Sequence, residues 1–215
     1  MDLVQNKLVI FDLDGTLNRT DLYAVPAHRT AFEELGMFGV TDEEILSNFG
    51  ASDCDYLNKM VPHLTKEEGE QHLSRVAELE EYFIKEYHGE YEGVTGMLAA
   101  IKQQGYRTAV CSNSSGQYIR MVLDTLHLTP NIDEIQELIE GTNKSNSLSL
   151  LLTRLKPVAA VMVGDRFYDM DAATENGIPF IGCAYGYGKE EEMAAANVMV
   201  ETAKDIPIAV QGLIG

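Results

Sequence analysis

Cysteine is scarce in this chain. The three present, Cys54, Cys111 and Cys183, are an odd number without the paired spacing of a metal finger, so neither a disulfide framework nor a zinc knot is expected, and buried thiols in a reducing compartment are the simplest reading. Basic side chains are also in short supply: 16 Lys and Arg stand against 34 Asp and Glu, a formal net charge of −18. A surface this acidic repels phosphate backbones instead of releasing counterions from them, so no nucleic-acid partner is expected. No segment approaches the ~18 consecutive apolar residues that span a bilayer. Met1-Asp2-Leu3 opens without a basic region followed by a long apolar stretch, and the expectation is a cytoplasmic protein with no membrane partner. What remains is an ordinary globular composition: 45% hydrophobic residues with 7 Phe and 10 Tyr, in 215 residues that can bury one core and a small second domain. A small phosphorylated substrate stays compatible with the charge, because a bound cation reverses the local field.

The first strong apolar run is Leu8-Val9-Ile10-Phe11, which stops abruptly at Asp12-Leu13-Asp14-Gly15-Thr16. β-Branched and aromatic residues bounded by Asp and Gly predict a buried strand ending in a polar turn. The same event recurs at Thr108-Ala109-Val110-Cys111 before Ser112-Asn113-Ser114, and at residues 158–163 before Gly164-Asp165, with shorter candidates at 180–183 and 197–200. Helical patterns at 96–104, 116–126, 145–155 and 170–176 lie between them. Strands alternating with helices predict an α/β fold with a parallel sheet covered on both faces, whose ligands sit beyond the carboxyl ends of the strands.

Residues 18–92 break this rhythm. They show no convincing strand. Pro26 marks a helix start with Gly36 at its end, and Thr41 with Glu44 and Thr65 with Glu68 form two capping boxes. Leu73, Val76, Ala77, Phe83, Ile84 and Tyr87 fall at helical spacing in the last and longest helix. This stretch carries 6 basic and 17 acidic side chains, half the acidity of the chain in about a third of its length. An acidic, all-helical insert is therefore expected after the first strand, giving an α/β core at residues 1–17 and 94–215 and a helical domain at 18–93. Hinges are expected near Asn18-Arg19 and residues 92–95, where Gly93 and Gly96 allow bending.

Asp12 and Asp14 lie two apart at a strand end, so extended backbone points both the same way. Like charges that close need a cation or a shared proton. Mg²⁺ suits the need, because it accepts one or two carboxylates together with a substrate phosphate and water. Asp165 and Asp169 add carboxylates at the end of another strand. Ser112 offers a hydroxyl beside the backbone donors of Asn113, and Lys144 a point charge at a helix start; both suit phosphate oxygens. Singly, each has a plain alternative: Asp-Gly and Gly-Asp turns, a Ser-Asn-Ser helix cap, a solvated lysine. Together, four polar sites in chain order, three of them directly at strand ends, converge on phosphoryl chemistry.

The stretches residues 9–17, Val110-Cys111-Ser112-Asn113, Asn143-Lys144-Ser145, and Val161-Met162-Val163-Gly164-Asp165 through Asp169 resemble the motifs of the haloacid dehalogenase (HAD) superfamily of phosphohydrolases, in its branch with a helical cap inserted after the first strand. Ile181-Gly182 through Tyr185-Gly186-Tyr187-Gly188 is similar to phosphoglycolate phosphatase-like members. The resemblance implies a Rossmann-like three-layer core and a two-step phosphoryl transfer. Asp12 would be the nucleophile that forms an aspartyl-phosphate, with Asp14 protonating the leaving alcohol and then deprotonating the attacking water. Mg²⁺ would be held by Asp12, the backbone carbonyl of Asp14 and Asp165, with Asp169 joining through a hydrogen bond or water. Ser112, Asn113 and Lys144 would hold the transferring oxygens. The resemblance also implies that dehalogenases lack an acid at the position of Asp14, so a carbon–halogen substrate is not expected.

The expected partner is a small phosphorylated metabolite: phosphoglycolate-like, or a sugar or nucleoside monophosphate. The alternatives are a phosphomutase of the β-phosphoglucomutase type and a receiver phosphorylated without turnover, the latter disfavoured by the length and the helical insert. Either a monomer or a homodimer is compatible. Arg19, Tyr23, His28 and Arg29 are candidate substrate contacts in the cap because they follow the first motif closely, although a histidine on an amphipathic helix is more often a packing or surface residue. Residues 190–192 read as the acidic first turn of a helix and Gly186-Tyr187-Gly188 as a tight turn.

Overall fold

The first apolar run forms the body of β1 (Lys7–Phe11) in a computed structural model that describes residues 6–215. Residues 1–5, and with them the reading of Met1-Asp2-Leu3, lie outside the described residues. The chain continues through α1 (Asp21–Glu34), α2 (Asp42–Leu46), α3 (Asp53–Met60), α4 (Lys66–Phe83), α5 (Val94–Gln103), β2 (Arg107–Cys111), α6 (Gly116–Thr125), β3 (Glu134–Gln136), α7 (Lys144–Leu155), β4 (Ala159–Gly164), α8 (Phe167–Glu175), β5 (Phe180–Cys183), β6 (Val198–Val200) and α9 (Ile206–Ile214). It divides into two compact units: Arg19–Gly89, and the residues through Asn18 together with Glu90–Gly215.

The larger unit is a Rossmann-like α/β sandwich around a parallel sheet of order β3-β2-β1-β4-β5-β6. β1 lies in the middle, and the chain crosses it to continue the sheet on the other side at β4. Such a reversal of strand order opens a crevice beyond the carboxyl ends of the two strands. Both faces of the sheet are covered, which is why β1 reads as a continuous apolar run and not as an alternating one. Leu8 and Ile10 join Leu148 and Leu151 of α7 and Ala172 and Ala173 of α8 in one buried cluster. On the other face α5 packs on β2, and α9 packs on β4, β5 and β6.

β3 lies outside the expected strands. Its three residues pair with Ala109, Val110 and Cys111 at the sheet edge, and so short a strand carries almost no periodic signal. α8 begins at Phe167, three residues before the expected start, because Asp169 accepts the N–H groups of Asp165 and Arg166 and closes the first turn. Gly96 lies inside α5, so only Gly93 remains as a bend; it adopts φ 94° where the chain enters the helix.

The smaller unit contains α1 to α4 and no strand among its described residues. Both capping boxes form, at Thr41 with Glu44 and at Thr65 with Glu68. Pro26 does not start its helix: α1 begins five residues earlier, and burial of Tyr23, Ala24, Val25 and Ala27 on both sides of Pro26 outweighs the lost N–H. Gly36 ends this helix as expected, with φ 73° and Met37 N–H reaching Phe32 O at 2.9 Å. Ala27 and Ala31 form a small-residue face against Val76, Leu79 and Phe83 of α4. The buried stripe of α4 is Gly69, His72, Val76 and Leu79, whereas Ala77 is exposed and Tyr87 lies beyond the helix and is half-exposed. A buried histidine in the middle of the stripe hides the true register from hydrophobic periodicity.

Candidate active site

Parallel pairing aligns the strand ends. Phe11 pairs with Val110 of β2 and with Val163 of β4, so Asp12, Ser112 just past Cys111, and the Gly164-Asp165 pair emerge at one edge of the sheet. Asp12 N–H bonds to Val163 O at 2.8 Å, extending the ladder one residue past β1 and fixing its carboxylate beside β4. Asp12, Asp165 and Asp169 are all buried and each offers a carboxylate oxygen, the three lying within 4.8 Å of one another. Lys144, the first residue of α7, places Nζ 2.5 Å from Asp12 Oδ1 and 2.5 Å from Asp169 Oδ1, and is only 5% exposed. It is not a solvated lysine. Two of the three buried carboxylates thus share one ammonium.

Each carboxylate is held from several sides. Thr16 Oγ1 donates to Asp165 Oδ1 at 3.3 Å, and the Tyr187 N–H donates to Asp165 Oδ2 at 2.6 Å. Gly186 and Gly188 flank that contact: a Cβ on Gly186 would overlap the Asp165 side chain, and one on Gly188 would overlap its carbonyl. The Gly-Tyr-Gly stretch is therefore more than a tight turn, because only bare backbone can approach Asp165 this closely. Asp14 Oδ1 accepts from Asn18 Nδ2 at 3.0 Å and from the Tyr118 hydroxyl at 2.9 Å, with Ser114 Oγ 3.4 Å from Oδ2. Ser112 is buried at the end of β2, tied to Gln136 O through its N–H, while its hydroxyl accepts from Ser114 N–H at 3.1 Å. Asn113 follows it, half-buried. Ser115 caps α6, so the alternative reading of Ser-Asn-Ser as the helix cap does not hold.

Burial, then repulsion from Asp169, holds the Asp12 carboxyl well above the usual carboxylate range in spite of Lys144. Burial and Asp169 likewise push Asp165 up to about 7. Burial opposes the charge on Lys144, but Asp12 and Asp169 outweigh it and keep the ammonium above the usual lysine range. Excess negative charge in a buried nest of oxygen donors fits a hard divalent cation, so the triad can hold a metal ion.

The sequence profile of haloacid dehalogenase-like hydrolases matches residues 9–183. The chain belongs to that family. It is 26% identical over 190 residues to the pyrophosphatase PpaX of Bacillus pumilus, covering 86% of each chain. It is 27% identical over 188 residues to the phosphoglycolate phosphatase of Aquifex aeolicus, covering 85% of this chain and 87% of that one. Its fold superposes with a TM-score of 0.83 on a predicted phosphoglycolate phosphatase of Haemophilus somnus, at 21% identity and with 96% and 99% of the two chains covered. As a member of the haloacid dehalogenase-like hydrolases it is an enzyme, a phosphoric monoester hydrolase.

In this family member the sequence reading named Asp12, Asp14, Ser112, Asn113, Lys144, Asp165 and Asp169; the structure gathers Asp12, Lys144, Asp165 and Asp169 in direct mutual reach and sets Asp14 against a separate group of donors. Arg19, Tyr23 and His28 belong to the helical unit. Arg19 forks onto Asp21 at 2.8 and 2.7 Å, and Arg29 pairs with Asp42. Tyr23 is fully buried. His28 Nδ1 lies 3.0 Å from the Tyr56 hydroxyl, itself 2.9 Å from His72 Nε2, while His28 Nε2 is 3.6 Å from Glu80. These polar contacts, with the rings of Phe32 and Phe49 alongside, account for His28 as a packed histidine of its own unit. Tyr118 carries no local signal, whereas Thr16 and Tyr187 lie inside the 9–17 and Tyr-Gly-Tyr-Gly stretches and Asn18 at an expected hinge, with no role assigned to any of them from sequence.

The raised Asp12 and Asp165 carboxyls make the capacity of the triad to hold a cation depend on pH. Such groups bind protons more tightly in the folded than in the unfolded chain, so their contribution to stability is full below the ordinary carboxylate range and is lost as pH rises through their folded values, about 7 for Asp165. Protons and a divalent cation compete for the same oxygens. The rise in melting temperature caused by Mg²⁺ over chelator is therefore expected to be larger at pH 8 than at pH 5.5. An equal rise at both pH values, measured by thermal denaturation, would contradict the assignment of these carboxylates to the cation.

Proposed function

We propose that this enzyme is a Mg²⁺-dependent phosphatase of a small phosphomonoester, phosphoglycolate-like or a sugar or nucleoside monophosphate, working through an aspartyl-phosphate. The observation that carries this reading is the buried Asp12 carboxylate set against Lys144, Asp165 and Asp169 at the switch point of the sheet. Relatives named as phosphoglycolate phosphatases support the substrate class. Asp12, Asp165 and Asp169, with the Asp14 carbonyl, would hold the cation. Bound Mg²⁺ would supply positive charge that keeps Asp12 ionised and draws electron density from a phosphoryl oxygen.

An ionised Asp12 oxygen attacks phosphorus, the bond to the ester oxygen breaks, and Asp14 gives its proton to the departing alkoxide. Asp14, now a carboxylate, then takes a proton from the water that attacks the aspartyl-phosphate, releasing phosphate and restoring both residues. Lys144, Ser112 and Asn113 stabilise the charge that accumulates on the transferring oxygens.

The helical unit would serve as a cap domain. Its insertion directly after β1 supports that role. So do its two connections: Asn18 bridges to Glu90 in antiparallel fashion, and Arg19 N–H bonds to Gly89 O at 2.9 Å, so the entering and leaving strands run side by side. A closing lid excludes water and adds substrate contacts.

The test is a phosphate-release screen over phosphoglycolate, sugar phosphates and nucleotides. Free phosphate from several monoesters is expected with Mg²⁺, falling by about 10²-fold or more on chelation. An isomerised sugar phosphate without free phosphate would point to a mutase. A long-lived phosphoprotein without turnover would point to a receiver, and full activity in chelator would contradict the cation.

A further inference from the structure

We propose that Tyr185 is a positioning residue for the cation site: its hydroxyl fixes the Thr16 backbone, and through the Thr16 hydroxyl it sets the orientation of the Asp165 carboxylate. The inference rests on the reading of Asp165 as a cation ligand, and goes beyond it by assigning the orientation of that ligand to a side chain from the loop after β5.

The Tyr185 hydroxyl donates to Thr16 O at 3.0 Å, across 169 positions of sequence. Its oxygen also shares a hydrogen bond with the Cys183 thiol, buried at the end of β5. A phenol has a single hydrogen, so with that hydrogen on Thr16 the thiol is the donor of the second bond. The ring centroid of Tyr185 lies 4.8 Å from that of Tyr91, whose N–H reaches Leu17 O at 3.3 Å. Thr16 and Leu17, both fully buried, are thus tied from two sides. Threonine is stiff at χ1, so a pinned backbone fixes where its hydroxyl points. That hydroxyl donates to Asp165 Oδ1 at 3.3 Å, while the N–H of Tyr187, two residues after Tyr185, donates to Asp165 Oδ2 at 2.6 Å. One loop therefore governs both carboxylate oxygens, one directly and the other through Thr16. The carboxyl torsion of aspartate is broad and two-fold, so a donor on each oxygen sets its plane. Each oxygen keeps a further lone pair for a cation. Partners standing behind the ligands tune metal affinity in this way, because they settle the ligand's orientation before the ion arrives.

The readout is cation affinity without substrate: the dissociation constant of Mn²⁺, which takes octahedral oxygen sites as Mg²⁺ does, followed by electron paramagnetic resonance. Tyr185→Phe keeps the ring and removes the hydroxyl. It is expected to weaken Mn²⁺ binding about three- to tenfold, the net worth of one neutral hydrogen bond read as a ratio of affinities. Thr16→Val, which removes the other hydroxyl at nearly constant shape, is expected to weaken it about tenfold or more, and Asp165→Asn about 10²-fold or more. Once the Thr16 hydroxyl is gone Tyr185 has nothing to act through, so the double variant should bind Mn²⁺ as Thr16→Val does. A merely structural tyrosine would lower the melting temperature in chelator and leave Mn²⁺ affinity as it is. If Asp165→Asn loses Mn²⁺ and Tyr185→Phe binds it as the parent does, or if the losses of Tyr185→Phe and Thr16→Val add in the double variant, the proposal fails while the cation reading stands. If Asp165→Asn binds Mn²⁺ as tightly as the parent, the cation reading falls and this inference with it.

Discussion

Asp12→Asn is expected to abolish phosphate release, by about 10⁴-fold or more in kcat, because the oxygen proposed to attack phosphorus is replaced by an amide without nucleophilic character. The same substitution should leave the fold intact. Asp12 is one of three mutually repelling buried carboxylates, and Lys144 keeps a partner in Asp169 at 2.5 Å. Removing one charge from that nest relieves repulsion, so in chelator the variant should melt no lower than the parent. Steady-state phosphate release and thermal denaturation check both halves. Turnover within tenfold of the parent would remove Asp12 from the role of nucleophile.

Lys144→Met should have the second largest effect, on stability and turnover together. Its ammonium stands between Asp12 and Asp169, so an apolar side chain of similar length leaves those charges buried without their counterweight. Removing one partner of such a buried group costs about 3–5 kcal/mol. The cost should shrink toward acid pH, because protonation of Asp165, whose carboxyl sits at about 7, and of Asp12 neutralises the nest by another route. Turnover at saturating Mg²⁺ should fall by about 10²–10³-fold, the usual loss on removing one preorganised group that stabilises transition-state charge. Urea denaturation at pH 5.5 and 8, together with kcat, measures both effects. A variant as stable as the parent at pH 8 would mean that Lys144 does not balance these carboxylates.

The two substitutions also separate the chemistry from the scaffold. Asp12→Asn removes a reacting atom and spares the packing, whereas Lys144→Met removes charge balance and disturbs both.

The chain's local patterns were readable where a single element contained its own cause. β1, β2, β4 and β5 appeared as apolar runs because both faces of the sheet are covered, and the boxes at Thr41 and Thr65 appeared because a cap is a contact across three residues. β3 did not appear, since three edge residues gain their order from pairing with β2 and not from their own composition. Pro26 misled for the opposite reason: its local preference is for a helix start, and burial of the surrounding residues overrode that preference.

The sequence by itself determined that acidic residues follow apolar strands, that a lysine opens a helix, and that a helical, strongly acidic segment interrupts an α/β alternation. These are properties of neighbours along the chain, governed by steric preference and by periodic burial. Only the tertiary structure decided that Lys144 would touch Asp12 and Asp169, that Tyr118 would reach Asp14, and that bare glycine backbone would close on Asp165. Those contacts join segments more than a hundred residues apart for Lys144 with Asp12 and for Tyr118 with Asp14, and about twenty to twenty-five apart for Lys144 with Asp169 and for the glycines with Asp165. They exist because strands whose backbone hydrogen bonds must be satisfied in parallel register bring their ends to one edge, and no local pattern of side chains encodes which ends will meet.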